Sequence, residues 1–272
     1  MSSLLGINAS VVQGSGLGPI SFVFNASDLH PLNTANKICK YADDFYLIVP
    51  SSHSHTIPAE LENIAIWAKN NNLKLNQSKS HEMIVRRPRA GSSTNPPATT
   101  HGIKRVREMV VLGVTLTDTL SFRSHVDRIV ARTAQTSYAL RLLRSHGLGA
   151  PQLFDVARAT LVAQLTYASP AWTGFINCED EARLQGVLKK LQRSGFLPPN
   201  FQTFKEICEA ADAQLFSSII HNDDHVLHQL LPPVKTHTHN LRKRAHDFVI
   251  PRCDDSLMRK NFIIRLISAN SF

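Results

Sequence analysis

Residues 37–50, KICKYADDFYLIVP, contain the pattern that decides the fold of the first part of the chain. Apolar, aromatic and β-branched residues flank a central Ala-Asp-Asp on both sides, which is typical of two short strands joined by a tight turn. The sequence therefore predicts a β-hairpin whose turn carries Asp43 and Asp44. A hairpin tip holds neighbouring carboxylates rigid and exposed, and their hard oxygen atoms suit Mg²⁺. Because aspartate is common in turns, the pair alone is equally compatible with two solvated surface residues.

The segments on either side of this hairpin predict a mixed helix-and-strand region. Residues 13–19, QGSGLGP, form a glycine-rich turn ahead of a short apolar helix that ends before Pro31. Pro58 opens a second helix with apolar residues at i, i+3, i+4 and i+7, and the asparagines at 70–72 end it. Three further short strands are predicted, at 73–76, 82–85 and 109–116.

From Phe122 onward the hydrophobic periodicity is helical only. We predict helices at 122–145, 151–168, 180–194 and 202–221, and a domain boundary near Ser121. The first of these helices carries one apolar packing stripe, formed by Phe122, Val126, Ile129, Val130, Thr133, Ser137 and Leu140. The fold class is therefore α+β.

Composition excludes several classes of protein. The chain has 272 residues, of which 43% are hydrophobic and 19% charged, so most of it folds around a core. It has no apolar run of membrane-spanning length, and its first residues lack the basic start of a signal peptide. The four cysteines lie far apart without a CxxC pair, which argues against a zinc ribbon and a disulfide-stapled secreted fold. These features favour a reducing, intracellular compartment.

The net charge of +9 is concentrated in the middle of the chain. Residues 81–160 hold twelve of the 30 basic residues and five of the 21 acidic ones, whereas residues 1–80 hold five of each. Most of the twelve are arginine, the residue best suited to phosphate contacts. This distribution indicates either a track for a polyanion or a solvated helix face, and charge alone favours neither.

Thirteen histidines raise the question of a further metal site. His53 and His55 form one pair and His237 and His239 another, but no cysteine lies near either at the spacing of a zinc finger. The spacing therefore does not favour zinc. We interpret the single histidines, His125 among them, as polar surface or nucleic-acid-facing residues.

Four blocks of the sequence resemble, in the same order, those of the reverse transcriptases of LINE-type (non-LTR) retrotransposons. They are QGSGLGP at 13–19, YADD at 41–44, LKLNQSKS at 73–80 and LGV at 112–114. Two later segments, LTYASPAW at 165–172 and NFIIRL at 261–266, are similar to segments downstream of these polymerases. The resemblance covers nearly the whole chain.

This resemblance implies a fold and a reaction. Residues 1–120 would be part of a polymerase palm, an antiparallel sheet with helices, 121–200 an all-α thumb-like region, and 201–272 a C-terminal helical region. Asp43 and Asp44 would hold Mg²⁺, or Mn²⁺, for two-metal nucleotidyl transfer. Lys79 would lie near the incoming triphosphate as a third catalytic residue.

The resemblance also implies binding residues. The nucleotide and template pocket would include Gln13, Gly14, Ser15, Gly18 and Tyr41. Leu112 and Gly113 would form the primer grip. Arginines of the first long helix would contact the nucleic-acid backbone, namely Arg123, Arg128, Arg132, Arg141 and Arg144.

One catalytic element of the family is missing from the sequence as it stands. The family has a further aspartate on a palm strand before the glycine-rich block, and only twelve residues precede Gln13 here. We therefore expect an N-terminally truncated RNA-directed DNA polymerase that is inactive alone. The alternative is a non-catalytic RNA- or DNA-binding remnant of a mobile element. The expected partners are an RNA template, a DNA primer and, if the chain is active, a dNTP, in the nucleus and/or the cytoplasm and not at a membrane.

Overall fold

The computed structural model describes residues 18–86, 102–235, 246–253 and 255–269. Contacts divide the chain into two compact units. The first unit comprises residues 1–84 and 91–106, and the second comprises residues 85–90 and 107–272. Helices and short two-stranded sheets occur together, so the predicted α+β class is confirmed.

The first unit is built on the predicted hairpin and the helix that follows it. Its elements are α1 (Gly18–Asn25), β1 (Lys37–Tyr41), β2 (Asp44–Ile48), α2 (Ile57–Asn70), β3 (His81–Glu82) and β4 (Lys104–Arg105). β1 and β2 are antiparallel, and the short β3 and β4 are parallel. Proline stands in the first turn of α2, and Asn72, with φ +55°, follows its end, as the sequence predicts.

The core of the first unit lies between one face of the hairpin and α2. Ile38, Phe45 and Leu47 pack against the buried Ile64 and Trp67. These three strand residues share a face because side chains alternate along a strand and Ile38 pairs with Leu47 in the antiparallel register. The ring of Phe45 meets that of Trp67 edge to face at 5.6 Å between centroids. The opposite face of the hairpin, which includes Tyr41 and Asp44, therefore takes no part in this core.

The strand predicted at 73–76 is wrong. Leu73 and Leu75 are each 40% exposed, and no strand includes them. The chain instead forms a turn at residues 77–79. In this turn the carbonyl oxygen of Asn76 accepts from the backbone N–H groups of Lys79 and Ser80. Alternating apolar residues do not make a strand without a partner to pair with. The strand predicted at 82–85 is wrong except at Glu82, the second residue of β3.

The second unit begins with a hairpin where the sequence predicts one strand. Its strands are β5 (Glu108–Val111) and β6 (Val114–Thr117), antiparallel, with Val111 paired to Val114. Leu112 and Gly113 form the turn with φ +47° and +85°, which is the type I′ geometry that suits a two-residue hairpin. A leucine in this conformation is rare, so the sequence gives no clear turn signal there.

The remaining elements of the second unit are helical, as predicted. They are α3 (Arg123–Ser145), α4 (Ala150–Ala157), α5 (Ala163–Thr166), α6 (Ser169–Trp172), α7 (Cys178–Arg193), α8 (Phe204–Ile220), α9 (Ser256–Lys260) and α10 (Phe262–Ala269). A π-helical segment, Arg158–Val162, joins α4 to α5. Asn177 caps α7, and Thr203 with Glu206 forms a capping box at the start of α8.

The core of the second unit surrounds Trp172, which is fully buried. The predicted stripe on α3 faces it, since Val126, Ile129, Thr133, Ser137 and Leu140 are all buried. A smaller cluster joins α8 to α10 through Phe216, Ile263, Leu266 and Ile267. Within the described ranges, no helix is both long and apolar enough to cross a membrane.

Candidate active site

The aspartate pair lies at the tip of the β1–β2 hairpin. Ala42 and Asp43 form the two-residue turn, and Asp44 is the first residue of β2, paired with Tyr41. Ala42 has φ +49°, a conformation that costs an L-residue roughly 1–2 kcal/mol and that glycine adopts freely. The predicted hairpin is confirmed, although only Asp43 belongs to the turn itself.

The hairpin presents Tyr41 and Asp44 on the face away from α2, whereas Lys40 lies on the core face, paired with Phe45. Tyr41, Asp43 and Asp44 are all exposed, and Tyr41 is 64% exposed. The hydroxyl of Tyr46 donates to Oδ2 of Asp44 over 3.5 Å, which is at the outer limit of a hydrogen bond. Both carboxylates are therefore open to a ligand from solvent.

Contacts beneath the hairpin fix its position within the first unit. The Lys40 ammonium donates to the carbonyl oxygen of Ala26, and the Trp67 indole donates to Oδ1 of Asp28 at 2.7 Å. Burial lowers the pKa of Lys40, and the charge of Asp28 opposes this shift. Asp28 thus accepts from Trp67 and attracts the Lys40 ammonium, and the described residues place it in no group of three metal ligands with the aspartate pair.

The aspartate pair matches a divalent cation in kind but supplies few ligands. Carboxylate oxygens are the donors that Mg²⁺ and Mn²⁺ prefer. Among the described residues, no group of three His, Cys, Asp or Glu side chains is placed to hold a metal ion. Two carboxylates with substrate phosphates and water are nevertheless a common way to bind Mg²⁺.

The other residues predicted for this site are only partly described. Gln13, Gly14 and Ser15 lie outside the described residues, and Gly18 begins α1. Lys79 is exposed in a turn in which its backbone N–H donates to the carbonyl oxygen of Asn76 at 3.1 Å. Within the described part of the chain, no hydrogen bond or ion pair joins Lys79 to either aspartate.

The residues predicted as the primer grip form the β5–β6 turn of the second unit. Tyr167 holds this turn, because its hydroxyl donates to the carbonyl oxygen of Leu112 at 3.0 Å. A Cβ atom at Gly113 would lie 3.2 Å from the ring of Tyr167, so glycine allows the close approach. Ala168, next in the chain, also has a positive φ, +50°.

The five arginines of α3 fall into different environments. Arg123 forms an exposed, two-pronged ion pair with Glu179, and Arg144 donates to the carbonyl oxygen of Ser194 at 2.7 Å. Arg128 and Arg132 line a cavity of the second unit. Arg141 is exposed, and no described residue pairs with it.

The interpretation of His125 as a surface residue is wrong. His125 is 3% exposed, its ring lies edge to face with Trp172 at 5.0 Å, and its Nδ1 accepts from the Thr115 N–H at 3.3 Å. Burial, with a smaller contribution from Arg128, lowers the pKa of this imidazole. The helical periodicity could have predicted that His125 is buried, because residue 125 lies one turn before Ile129 on the apolar stripe of α3.

Comparison with known proteins links the first part of the chain to a polymerase family. The family model for reverse transcriptase (RNA-dependent DNA polymerase) matches residues 5–116, which include the aspartate hairpin, Lys79 and the β5–β6 turn. No curated protein and no solved structure matches the chain. Residues 5–116 are therefore similar to RNA-directed DNA polymerases, and α3 and all later helices lie outside the match.

Proposed function

We propose that this chain carries the aspartate hairpin of an RNA-directed DNA polymerase of the LINE, or non-LTR, type. The observation that carries the proposal is the pair of exposed carboxylates, Asp43 and Asp44, at the tip of a hairpin inside the matched region. The reaction would be nucleotidyl transfer, with an RNA template, a DNA primer and a dNTP as substrates.

The aspartates are proposed as ligands of a divalent cation, Mg²⁺ or Mn²⁺. Such an ion neutralises charge on the triphosphate and lowers the pKa of a bound hydroxyl. The proposed role of Asp43 and Asp44 is to hold the cation at the tip of the antiparallel β1–β2 hairpin. Lys40 of β1 donates to Ala26 and Trp67 of α2 donates to Asp28, so residues 26–28 connect the hairpin to α2.

Three groups of the first unit complete the proposed substrate site. Lys79 would stabilise negative charge on the departing pyrophosphate, which its exposed position permits. The exposed ring of Tyr41 would pack against the nucleotide or template. Gly18, with the glycine-rich segment before it, would allow a close backbone approach.

In the second unit, we propose a primer grip at Leu112 and Gly113 and a thumb that begins with α3. Three arginines of α3 are exposed and have no described side-chain partner, so they are the most available to a phosphate backbone: Arg128, Arg132 and Arg141. Arg123 and Arg144 already have protein partners, so we assign them a smaller share of any nucleic-acid contact.

A second candidate function, non-catalytic binding of RNA or DNA, is favoured by the small number of metal ligands. The described residues provide two carboxylates, which hold a divalent ion only weakly without further donors. We therefore propose that the 272-residue chain is inactive or weakly active alone and that the basic helix α3 binds nucleic acid in either case.

Metal binding tests the proposed site first. We expect Mn²⁺ to broaden the NMR resonances of residues 41–44 in the full chain, because its unpaired electrons relax nearby nuclei. Asp43→Asn combined with Asp44→Asn should abolish this broadening. The matched control replaces Asp223 and Asp224, a second pair of adjacent, exposed aspartates, with asparagine and should leave it unchanged.

Primer extension on an RNA template then separates the two candidate functions. Any extension by the full chain should require Mg²⁺ or Mn²⁺, should disappear in the Asp43 and Asp44 variant and should persist in the control. Extension that survives loss of both aspartates contradicts the polymerase proposal. No extension by a folded chain that still binds the RNA–DNA duplex favours the binding function.

A further inference from the structure

A cavity of about 230 Å³ lies within the second unit. It is bounded by α3, by the π-helical segment with α5, and by the β5–β6 turn. Its volume is several times the roughly 30 Å³ that one water molecule occupies in the liquid. A ligand the size of a phosphate group therefore fits with water to spare.

The charge of the cavity is positive. Arg128 and Arg132 line it from successive turns of α3, and none of the described residues that line it is acidic. The nearest acid on the helix, Asp127, is paired with Arg183 of α7 instead. No hydrogen bond or ion pair engages either cavity arginine side chain within the described ranges. Two guanidinium groups thus face the cavity without a protein counter-ion.

His125, which lines the cavity, carries a buried hydrogen-bond donor. Nδ1 of His125 accepts from the Thr115 N–H, so the proton of the neutral ring lies on Nε2. Nε2 is buried, and no described residue accepts from it. A buried donor without an acceptor costs roughly 1–3 kcal/mol, which an oxygen atom of a bound ligand would offset.

Gln164 provides a second unpaired group on the opposite wall. Its Oε1 atom is buried without a partner among the described residues, and rotation of the amide by half a turn would present NH₂ in its place. Gln164 follows the π-helical segment Arg158–Val162, and such segments frequently mark functional sites in helices.

Tyr167 lies at the edge of the same cavity. Its ring is 54% exposed. Its hydroxyl donates to the carbonyl oxygen of Leu112, and one edge of the ring lies against Gly113. A fixed, exposed aromatic ring offers a surface on which a nucleic-acid base can stack.

We propose that this cavity binds a terminal phosphate monoester, that of a free nucleotide or of a strand end. Two arginines match a dianion, and the unpaired His125 and Gln164 groups match oxygen atoms that reach below the surface. An internal phosphodiester has a single charge and is held by the strand on both sides. The site contains neither Asp43 nor Asp44, so it goes beyond the polymerase proposal and can fail or succeed separately.

The first test is binding of inorganic phosphate and of adenosine 5′-monophosphate to the full chain by calorimetry and ¹⁵N NMR. Both ligands should bind saturably and shift the Nε2 resonance of His125. Arg128→Gln combined with Arg132→Gln should weaken binding about tenfold or more, because charge-assisted hydrogen bonds are lost. Lys189→Gln combined with Lys190→Gln, an equal loss of charge at exposed positions of α7 outside the cavity, should leave the dissociation constant unchanged.

Oligonucleotides with a 5′-phosphate or a 5′-hydroxyl then distinguish the two sources. Tighter binding of the 5′-phosphorylated strand than of the 5′-hydroxyl strand, with the difference lost in the Arg128 and Arg132 variant, assigns a strand end. Equal binding of the two strands, beside saturable binding of the mononucleotide in the cavity, assigns a free nucleotide. The proposal is overturned if inorganic phosphate leaves His125 unperturbed, or if the Lys189 and Lys190 variant weakens phosphate binding as much as the Arg128 and Arg132 variant. Thermal unfolding of each variant confirms that the comparison is between folded proteins.

Discussion

Asp212 on α8 is 4% exposed, and its Oδ2 accepts from Nη1 of Arg265 on α10 at 2.6 Å. Its Oδ1 has no described partner, so Arg265 is the main compensation for this buried charge. Gly174 leaves room for the arginine, because a Cβ atom there would lie 2.9 Å from Nε of Arg265 and collide with the Lys260 carbonyl oxygen. Single residues thus fix how the C-terminal helix packs.

Removal of Arg265 should therefore destabilise the second unit strongly. We expect Arg265→Met to lower the free energy of unfolding by about 3 kcal/mol, since it leaves a buried carboxylate unpaired. The double variant Arg265→Met with Asp212→Leu should recover most of this loss. The measurement is urea unfolding followed by ¹⁹F NMR of 5-fluorotryptophan at Trp172, which lies in the same unit. Equal destabilisation of the single and double variants would contradict this account.

At the scale of the element, α2 organises the loop that precedes the aspartate hairpin. Glu60 in its first turn is fully buried and accepts from the N–H groups of Leu32 and Asn33 at 3.0 and 2.9 Å. The Asn36 side chain donates to it at 2.8 Å. Burial alone raises the pKa of Glu60, but these hydrogen bonds outweigh it and lower the pKa. The loop is thereby fixed onto the helix that also supports β1 and β2.

This arrangement predicts a stability difference that depends on pH. Glu60→Gln should lower the free energy of unfolding of the first unit by about 2 kcal/mol at neutral pH, because an amide oxygen replaces a charged acceptor. A carboxyl whose pKa is lowered in the folded state stabilises above its ordinary value, here 4.5, and loses that contribution as pH falls below it. The difference between wild type and variant should therefore shrink between pH 6 and pH 3.

The signal of fluorinated Trp67 measures this effect, since Trp67 lies in the first unit and Trp172 in the second. The Trp172 transition of the same samples is the internal control and should not change with Glu60→Gln. A difference at Trp67 that stays constant across this pH range would show that Glu60 does not act through its charge.

Most helices could be predicted from the sequence because their apolar faces recur at helical spacing. The α3 stripe is confirmed on this basis, and the Asp43–Asp44 hairpin is confirmed from the strand-forming residues on both sides of its turn. The β5–β6 hairpin could not be predicted, because its turn requires Leu112 in a conformation that leucine rarely adopts. The cavity beside it could not be predicted either, since it depends on a π-helical segment and on Tyr167, 55 positions along the chain from Leu112. No local pattern encodes such distant contacts.

At the scale of the whole molecule, the 30 basic residues are not equally free to bind a polyanion. Several arginines are already paired with acidic residues of the protein. Arg86 pairs with Asp118, Arg105 with Glu82 and Arg183 with Asp127. On α3, Arg123 pairs with Glu179. Replacing single arginines therefore distinguishes those that contact nucleic acid from those that stabilise the fold.

The salt dependence of nucleic-acid binding measures this difference. Each phosphate contact contributes about 0.9 to the slope of log K against log salt concentration on duplex DNA. We expect Arg141→Gln to reduce the slope by about one such contact, because its exposed guanidinium has no described partner. Arg123→Gln, which removes the same charge from the same helix, should change the slope much less, since Glu179 already neutralises that guanidinium. Fluorescence anisotropy of a labelled RNA–DNA duplex across a salt series gives both slopes. Equal reductions would show that net charge, and not the position of Arg141, determines binding.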